Sequence, residues 1–187
     1  MGIPLHRRIA DWLSGASAAS EGRSLYEAAL AQSRRPALYA RHGVPDTLDG
    51  RFDCLALHVA LLVRRLAREP AGERPLQDLY TAMFDDMDRT LREMGVGDLG
   101  IGKRVQAMGE ALMGRVAAYG EGLDGGDAAR LAAAVTRNLY GTVADPAPGH
   151  VAAIVAYLGA ADGRLAAQPL PDLFARGPDY PTIEAET

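Results

Sequence analysis

The side chains most able to do chemistry in this 187-residue chain are a group of carboxylates. Asp85, Asp86 and Asp88 lie within four positions, and Glu93 and Asp98 follow. In a helical protein, such a group is typical of a magnesium site that binds a diphosphate, which needs carboxylates one helical turn apart. Position 89 is arginine instead of aspartate, so the spacing does not match that chemistry.

The same segment has the charge pattern of a solvent-exposed helix face. Opposite charges recur four residues apart, in the pairs Asp85–Arg89, Asp88–Arg92 and Arg89–Glu93. Each such pair stabilises a helix by roughly 0.2–0.5 kcal/mol. We therefore predict that the acidic cluster is structural. Asp85, Asp88, Arg89 and Arg92 are expected to face solvent on a helix whose opposite side holds Met83, Met87 and Leu91.

A glycine-rich stretch offers a second motif. Gly95–Gly100 has the spacing G-x-G-x-x-G, which binds dinucleotides only where it follows a strand of a parallel sheet and begins a helix. Here it follows a helical pattern, and no segment alternates with the period of a strand. We interpret it as a connection between two helices.

The remaining reactive side chains are isolated from one another. The four histidines are dispersed, without the paired spacing of a metal site; they are His6, His42, His58 and His150. We predict that His58 is a hydrogen-bonded packing residue and that the single cysteine, Cys54, is a small core residue. The sequence therefore predicts a protein that is not an enzyme and has no metal and no cofactor.

Helical periodicity fills most of the chain, which predicts an all-α fold, an irregular bundle of six to seven helices. The segment from Phe52 to about Arg68 is apolar on two sides, so we expect it to be the central helix. Prolines from Gln168 onward forbid a long helix and predict an extended, Pro-rich C-terminal tail over the surface. The predicted helices are 5–13, 25–34, a turn after Pro36, Phe52–Arg68, Pro75–Met94, 101–119, Ala128–Tyr140 and His150–Ala161. The predicted organisation is an N-terminal helix and linker (1–23), a helical domain (24–167) and the tail (168–187).

The turn Val44–Arg51 carries a proline and three residues able to cap a helix, Asp46, Thr47 and Asp49. We predict that it has a defined geometry and faces a partner or sets the architecture. Arg51 is expected to bind a carboxylate such as Asp86 or Asp98.

Charge and hydropathy restrict the location and the partners. No apolar run reaches the roughly 20 residues of a membrane span, and the N-terminus lacks the features of a secretory signal, so the expected location is cytoplasmic. The net charge of −4 argues against sequence-specific nucleic-acid binding. Residues 1–75 nevertheless carry a net charge of +3. This basic half leaves open an anionic partner, the ribosome or the inner-membrane surface.

Five of the six methionines lie in the middle of the chain; they are Met83, Met87, Met94, Met108 and Met113. Flexible, polarisable methionine suits surfaces that accept varied apolar partners. Core packing between neighbouring helices is the alternative, because Met83, Met87 and Met94 share one apolar stripe. The pattern alone leaves both interpretations open.

Three long strings resemble the ubiquinol–cytochrome c chaperone family. They run from Arg35 to Phe52, from Asp85 to Asp98, and from Lys103 through Arg115 to Tyr119. The resemblance covers about residues 24–142, and the part after Gly141 carries little of it. Where the family usually has an aromatic residue, this chain has Leu38.

The resemblance implies an assembly chaperone for respiratory complex III. Mitochondrial members bind newly made cytochrome b, act with a small partner protein and associate with the ribosome. The expected partner is thus nascent cytochrome b or another complex III subunit, which an apolar groove would shield from water. The alternative is an α-helical small-molecule or isoprenoid-binding protein, or an enzyme that uses the acidic cluster.

Two segments of the family-like strings end helices and carry apolar side chains that are hard to bury there. We predict that they approach each other and form an exposed client- or partner-binding patch. The alternative is that each only anchors its own helix end to the core. The candidate residues, with Arg51 from the same strings, are Tyr39, Val44, Arg51, Met94, Val96 and Leu99.

Overall fold

The fold was taken from a computed structural model, which describes residues 21–183 except Val96, and the side chains of that range except those of Asp98 and Leu99. In this part of the chain every regular element is a helix, which confirms the all-α prediction. We number the helices α1 (21–33), α2 (Pro36–Ala40), α3 (Leu48–Leu66), α4 (Glu73–Glu93), α5 (Asp98–Asp124), α6 (Ala128–Leu139), α7 (Pro148–Ala167) and α8 (Leu170–Arg176). The predicted helix 5–13 and most of the linker after it lie outside the described residues.

Helix α3 is the centre of the bundle, as its two apolar sides predict. Every residue from Cys54 to Val63 is buried, and α5, α6 and α7 pack around it. Cys54 is fully buried, and its thiol donates to the backbone oxygen of Ser33 at 3.4 Å. Burial raises the pKa of this thiol to about 12, so Cys54 is a core residue, as predicted.

Helix α3 begins four residues earlier than its apolar stripe predicts. Thr47 is the N-cap, and its hydroxyl accepts a hydrogen bond from the backbone N–H of Gly50 at 3.1 Å. This cap satisfies an amide that the first turn would otherwise leave unpaired. The second half of the predicted turn Val44–Arg51 is therefore the first turn of α3.

Asp85, Asp88, Arg89 and Arg92 lie on the solvent-facing side of α4, as predicted, whereas Asp86 faces α1. Met83, Met87 and Leu91 are buried on the opposite side, and Arg92 Nε lies 2.7 Å from Asp88 Oδ2. Arg89 contacts Asp86 at 3.7 Å rather than Asp85. In the described part of the chain, no three histidine, cysteine or acidic side chains are placed to hold a metal ion.

The glycine-rich stretch connects α4 to α5, as predicted. Gly95 has a φ of +79°, which only glycine adopts without strain, and Gly97 is the residue before the first turn of α5. The two helices pack against each other on either side of this connection. This hairpin forms much of the candidate site described below.

The C-terminal tail packs on the core and contains the short helix α8. Pro169 and Pro171 lie at the start of α8, where the missing N–H breaks no helical hydrogen bond, and Pro178 and Pro181 follow its end. Leu170, Leu173 and Ile183 are buried. The guanidinium of Arg65, a residue only 4% exposed, donates to the backbone oxygen of Gln168 from Nε and Nη2, at 3.2 and 2.9 Å.

His58 lies at the centre of a buried polar network. Its Nδ1 is 2.8 Å from the backbone oxygen of Cys54, which can only accept, so Nδ1 carries the proton. Its Nε2 then accepts from the Tyr157 hydroxyl at 3.0 Å, and that hydroxyl accepts from Gln32 Nε2 at 3.1 Å. The ring of Tyr180 meets the His58 ring edge-on at 5.4 Å. His58 is thus a hydrogen-bonded packing residue, as predicted.

We expect His58 to make the fold sensitive to acid. Complete burial lowers its pKa to about 4 from an ordinary value of 6.5, so the folded state keeps the ring neutral while the unfolded chain takes up a proton. The free energy of unfolding is therefore unaffected by His58 above pH 6.5, and protonation of the unfolded chain lowers it by about 3 kcal/mol as the pH drops to 4. Urea unfolding at a series of pH values should show a shallower pH slope for His58→Gln than for the wild type. Equal slopes would contradict this assignment.

Candidate functional site

A groove of about 610 Å³ opens between α1, α2, the start of α3, the end of α4 and the first half of α5. We call it the five-helix groove. Its walls come from segments far apart in the sequence, because α1 packs along α4 and α5 crosses α3. The aromatic and large apolar side chains of its lining include Tyr26, Tyr39, Leu48, Phe52, Met87, Met94 and Met108.

The lining combines an apolar floor with an exposed apolar rim. Met87 and Leu91 are buried at the floor, whereas Leu48 and Met94 are 52% and 53% exposed. Large apolar side chains left half in water on both sides of one concavity are typical of a site that covers them with a partner. The chemistry of this surface is that of apolar binding.

The two most buried charges of the groove neutralise each other. Asp53 and Arg115 form an ion pair and are 14% and 16% exposed. The Arg115 guanidinium also lies over the Phe52 ring, 5.5 Å from its centroid. Burial raises the pKa of the Asp53 carboxyl, and Arg115 acts in the opposite direction. This pair holds α3 to α5 beneath the apolar surface.

A second polar contact ties α1 to α4 at the groove. The buried Tyr26 hydroxyl donates to Asp86 Oδ2 at 2.7 Å, and burial with this hydrogen bond raises the pKa of Tyr26 above its ordinary value. Tyr39 is fixed in a similar way, since its hydroxyl donates to the backbone oxygen of Ser33 at 2.6 Å. Both aromatic side chains are therefore held in place before any partner binds.

Three of the candidate residues named from the sequence line the five-helix groove: Tyr39, Arg51 and Met94. Arg51 does so with a different partner from the one expected. Its Nε donates to Asp46 Oδ1 at 2.6 Å, because the early start of α3 brings the two side chains together five positions apart. Asp86 instead accepts from Tyr26.

Val44 is not part of the groove surface. It is 3% exposed and belongs to the core, and its N–H donates to Leu38 O at 3.1 Å, which folds the chain back after α2. The prediction that Val44 belongs to an exposed patch is therefore wrong, because its side chain is buried. Val96 and the side chain of Leu99 lie outside the described residues.

Several groove residues carried no sequence signal of function. Leu48, Phe52, Arg104 and Ala107 are ordinary helical residues whose role depends on which helices meet. The sequence pointed to these residues only indirectly, because the three family-like strings contain nearly all of the groove residues outside α1.

A second apolar surface lies on the other side of the α4–α5 hairpin. It is a wider and shallower hollow that includes Tyr80, Phe84, Val105 and Met113. The Tyr80 and Phe84 rings stack at 6.4 Å, and Met113 is 45% exposed. None of the four candidate residues whose side chains are described lies there.

In the described residues, the fold and the groove define a class: an all-helical protein with an apolar groove between five helices. In the part of the chain that is described, no helix is long and apolar enough to span a membrane. The model of the ubiquinol–cytochrome c chaperone family matches residues 40–180. The chain therefore belongs to this family, and its role is that of an assembly chaperone for complex III.

A solved structure supports the membership. The crystal structure of the Cbp3 homolog from Brucella abortus is 34% identical to this chain, with a TM-score of 0.82 over 96% of this chain and 98% of that one. A comparison with curated proteins gave no match. The family match continues to residue 180, beyond Gly141, so the C-terminal part belongs to the family domain although its sequence alone carries little resemblance.

Proposed function

We propose that the five-helix groove holds an apolar segment of newly made cytochrome b until the segment is built into complex III. The observation that carries this proposal is the half-exposed apolar rim of Leu48 and Met94 around the groove, in a member of this family. A membrane segment made in water exposes apolar surface that aggregates, and covering it gains roughly 25 cal/mol for each Å² buried.

The mechanism is binding without catalysis. The lining supplies aromatic and methionine side chains, and its most buried charges are paired with each other, as Asp53 is with Arg115. Methionine adapts to different apolar shapes, which suits a segment that must later be released. Action in the cytoplasm, at the ribosome or at the inner-membrane surface, is part of the same proposal.

The test is site-specific crosslinking in cells that make complex III. A photo-crosslinking amino acid at position 94, on the groove rim, should capture cytochrome b, identified by antibody. The same amino acid at the exposed position 137 on α6 is the control. Capture at 137 but not at 94 would contradict the proposal.

Deleting the gene supplies an independent measurement. We expect loss of complex III and of the cytochrome b haem spectrum, both restored by the wild-type chain. Normal complex III without this protein would exclude the role in cytochrome b assembly.

A further inference from the structure

The rim of the groove carries positively charged side chains, which the binding of an apolar segment alone does not explain. Arg34, at the end of α1, and Arg104, near the start of α5, both line the groove and are exposed. Neither forms an ion pair with a described residue. The other two lining arginines differ, since Arg51 pairs with Asp46 and Arg115 with Asp53.

The aspartates of the lining do not cancel this charge. Asp53 forms an ion pair with Arg115. Asp86 accepts a hydrogen bond from Tyr26 and lies 3.7 Å from Arg89. Asp49 sits in the first turn of α3, where the positive end of the helix dipole balances a carboxylate. The groove therefore offers two cationic side chains that form no ion pair with any of the residues the structure describes.

Along α5 the groove is shorter than a membrane-spanning segment. Arg104 and Arg115 mark its two ends along α5 and are eleven positions apart, which spans about 16 Å at the helical rise. A membrane-spanning helix has an apolar length of about 30 Å. The groove thus covers about half of such a segment, and a segment bound with one end inside the groove has the polar residues that flank this end near Arg104.

We infer that the groove selects apolar segments whose flanking residues are acidic. This inference rests on the proposed function, since it concerns the same groove. Carboxylates beside the apolar segment pair with Arg34 and Arg104, while flanking lysines are repelled. An exposed pair contributes little on its own, so the preference amounts to about three- to tenfold in Kd for the two pairs together.

The test uses two fluorescent synthetic peptides with the same helical Leu/Ala/Ser core, one flanked by two glutamates and the other by two lysines. Fluorescence anisotropy with the full chain should give a Kd about three- to tenfold lower for the glutamate peptide. High salt should reduce the difference, because screening weakens exposed pairs. The double variant Arg34→Gln/Arg104→Gln should abolish it, whereas Arg130→Gln, on α6 outside the groove, should keep it.

The outcomes separate the two levels of the proposal. Equal binding of both peptides by the wild-type chain would overturn the acidic preference and leave the apolar groove standing. Tighter binding of the lysine peptide would overturn it as well. Binding of neither peptide would overturn this inference together with the proposed function.

Discussion

A chain that ends at Gln168 is expected to lose its stable fold. The missing residues include Leu170, Leu173 and Ile183, which are buried, and Tyr180, whose ring packs on His58 and whose hydroxyl donates to His58 O at 3.3 Å. Burial of a large apolar side chain contributes about 1.5–3 kcal/mol, so the three buried side chains together contribute about 4.5 kcal/mol or more, and the half-buried Tyr180 adds to this. The whole free energy of unfolding of a domain is only about 5–15 kcal/mol.

Circular dichroism and urea unfolding would measure this effect. A chain that ends at Ile183 is the matched control and should unfold like the full chain, since it keeps every tail residue that the structure describes as buried. A point variant gives a milder form of the same test: Leu173→Ala should cost about 2–5 kcal/mol, and the exposed Arg176→Ala on the same helix should change little. Cooperative unfolding of the chain ending at Gln168 at wild-type urea concentrations would contradict the role of the tail.

In the C-terminal tail, the local sequence predicts the secondary structure but not the residues that the tail contacts. Its prolines correctly predict that no long helix forms, and Gly177, with a φ of +80°, ends α8 after seven residues. The contacts that hold the tail are not local, because Arg65 is 103 positions from Gln168 and Tyr180 is 122 positions from His58. Nothing in the proline spacing indicates these partners.

The α4 helix was predictable because its pattern is complete within one segment. Charges at a spacing of four residues on one side and methionines on the other fix which face is buried, and the structure confirms both faces. Which of two neighbouring aspartates pairs with Arg89 was less predictable. Asp85 and Asp86 both lie within one helical turn of Arg89, and the structure pairs Arg89 with Asp86.

The candidate site was predictable only in part. Tyr39 and Met94 both line the five-helix groove, and that they bind a client there stays a prediction. Val44 does not line the groove, because its N–H and side chain are needed to close the turn after α2. The contribution of α1, through Tyr26 and Arg34, depends on helix packing, to which Gly22 contributes by letting α1 approach the backbone of α4 near Pro75.

The double variant Leu48→Ser/Met94→Ser is expected to weaken client binding about 30-fold without unfolding the protein. Both side chains are about half exposed on the groove rim, so a bound apolar segment buries roughly the remaining half of each. Half of a full burial contributes about 1 kcal/mol for each side chain. Two such losses raise Kd about 30-fold.

The third exposed large apolar side chain of the described chain supplies the matched control. Met113 is 45% exposed on the second apolar surface, so Met113→Ser removes a similar area outside the groove. Kd for a synthetic apolar peptide and the amount of complex III in complemented deletion cells should both change for the double variant and stay the same for Met113→Ser. Urea unfolding should change by less than about 0.5 kcal/mol for either variant, because exposed substitutions rarely alter stability more. If Met113→Ser weakened binding and the double variant did not, the client surface would lie on the far side of the α4–α5 hairpin.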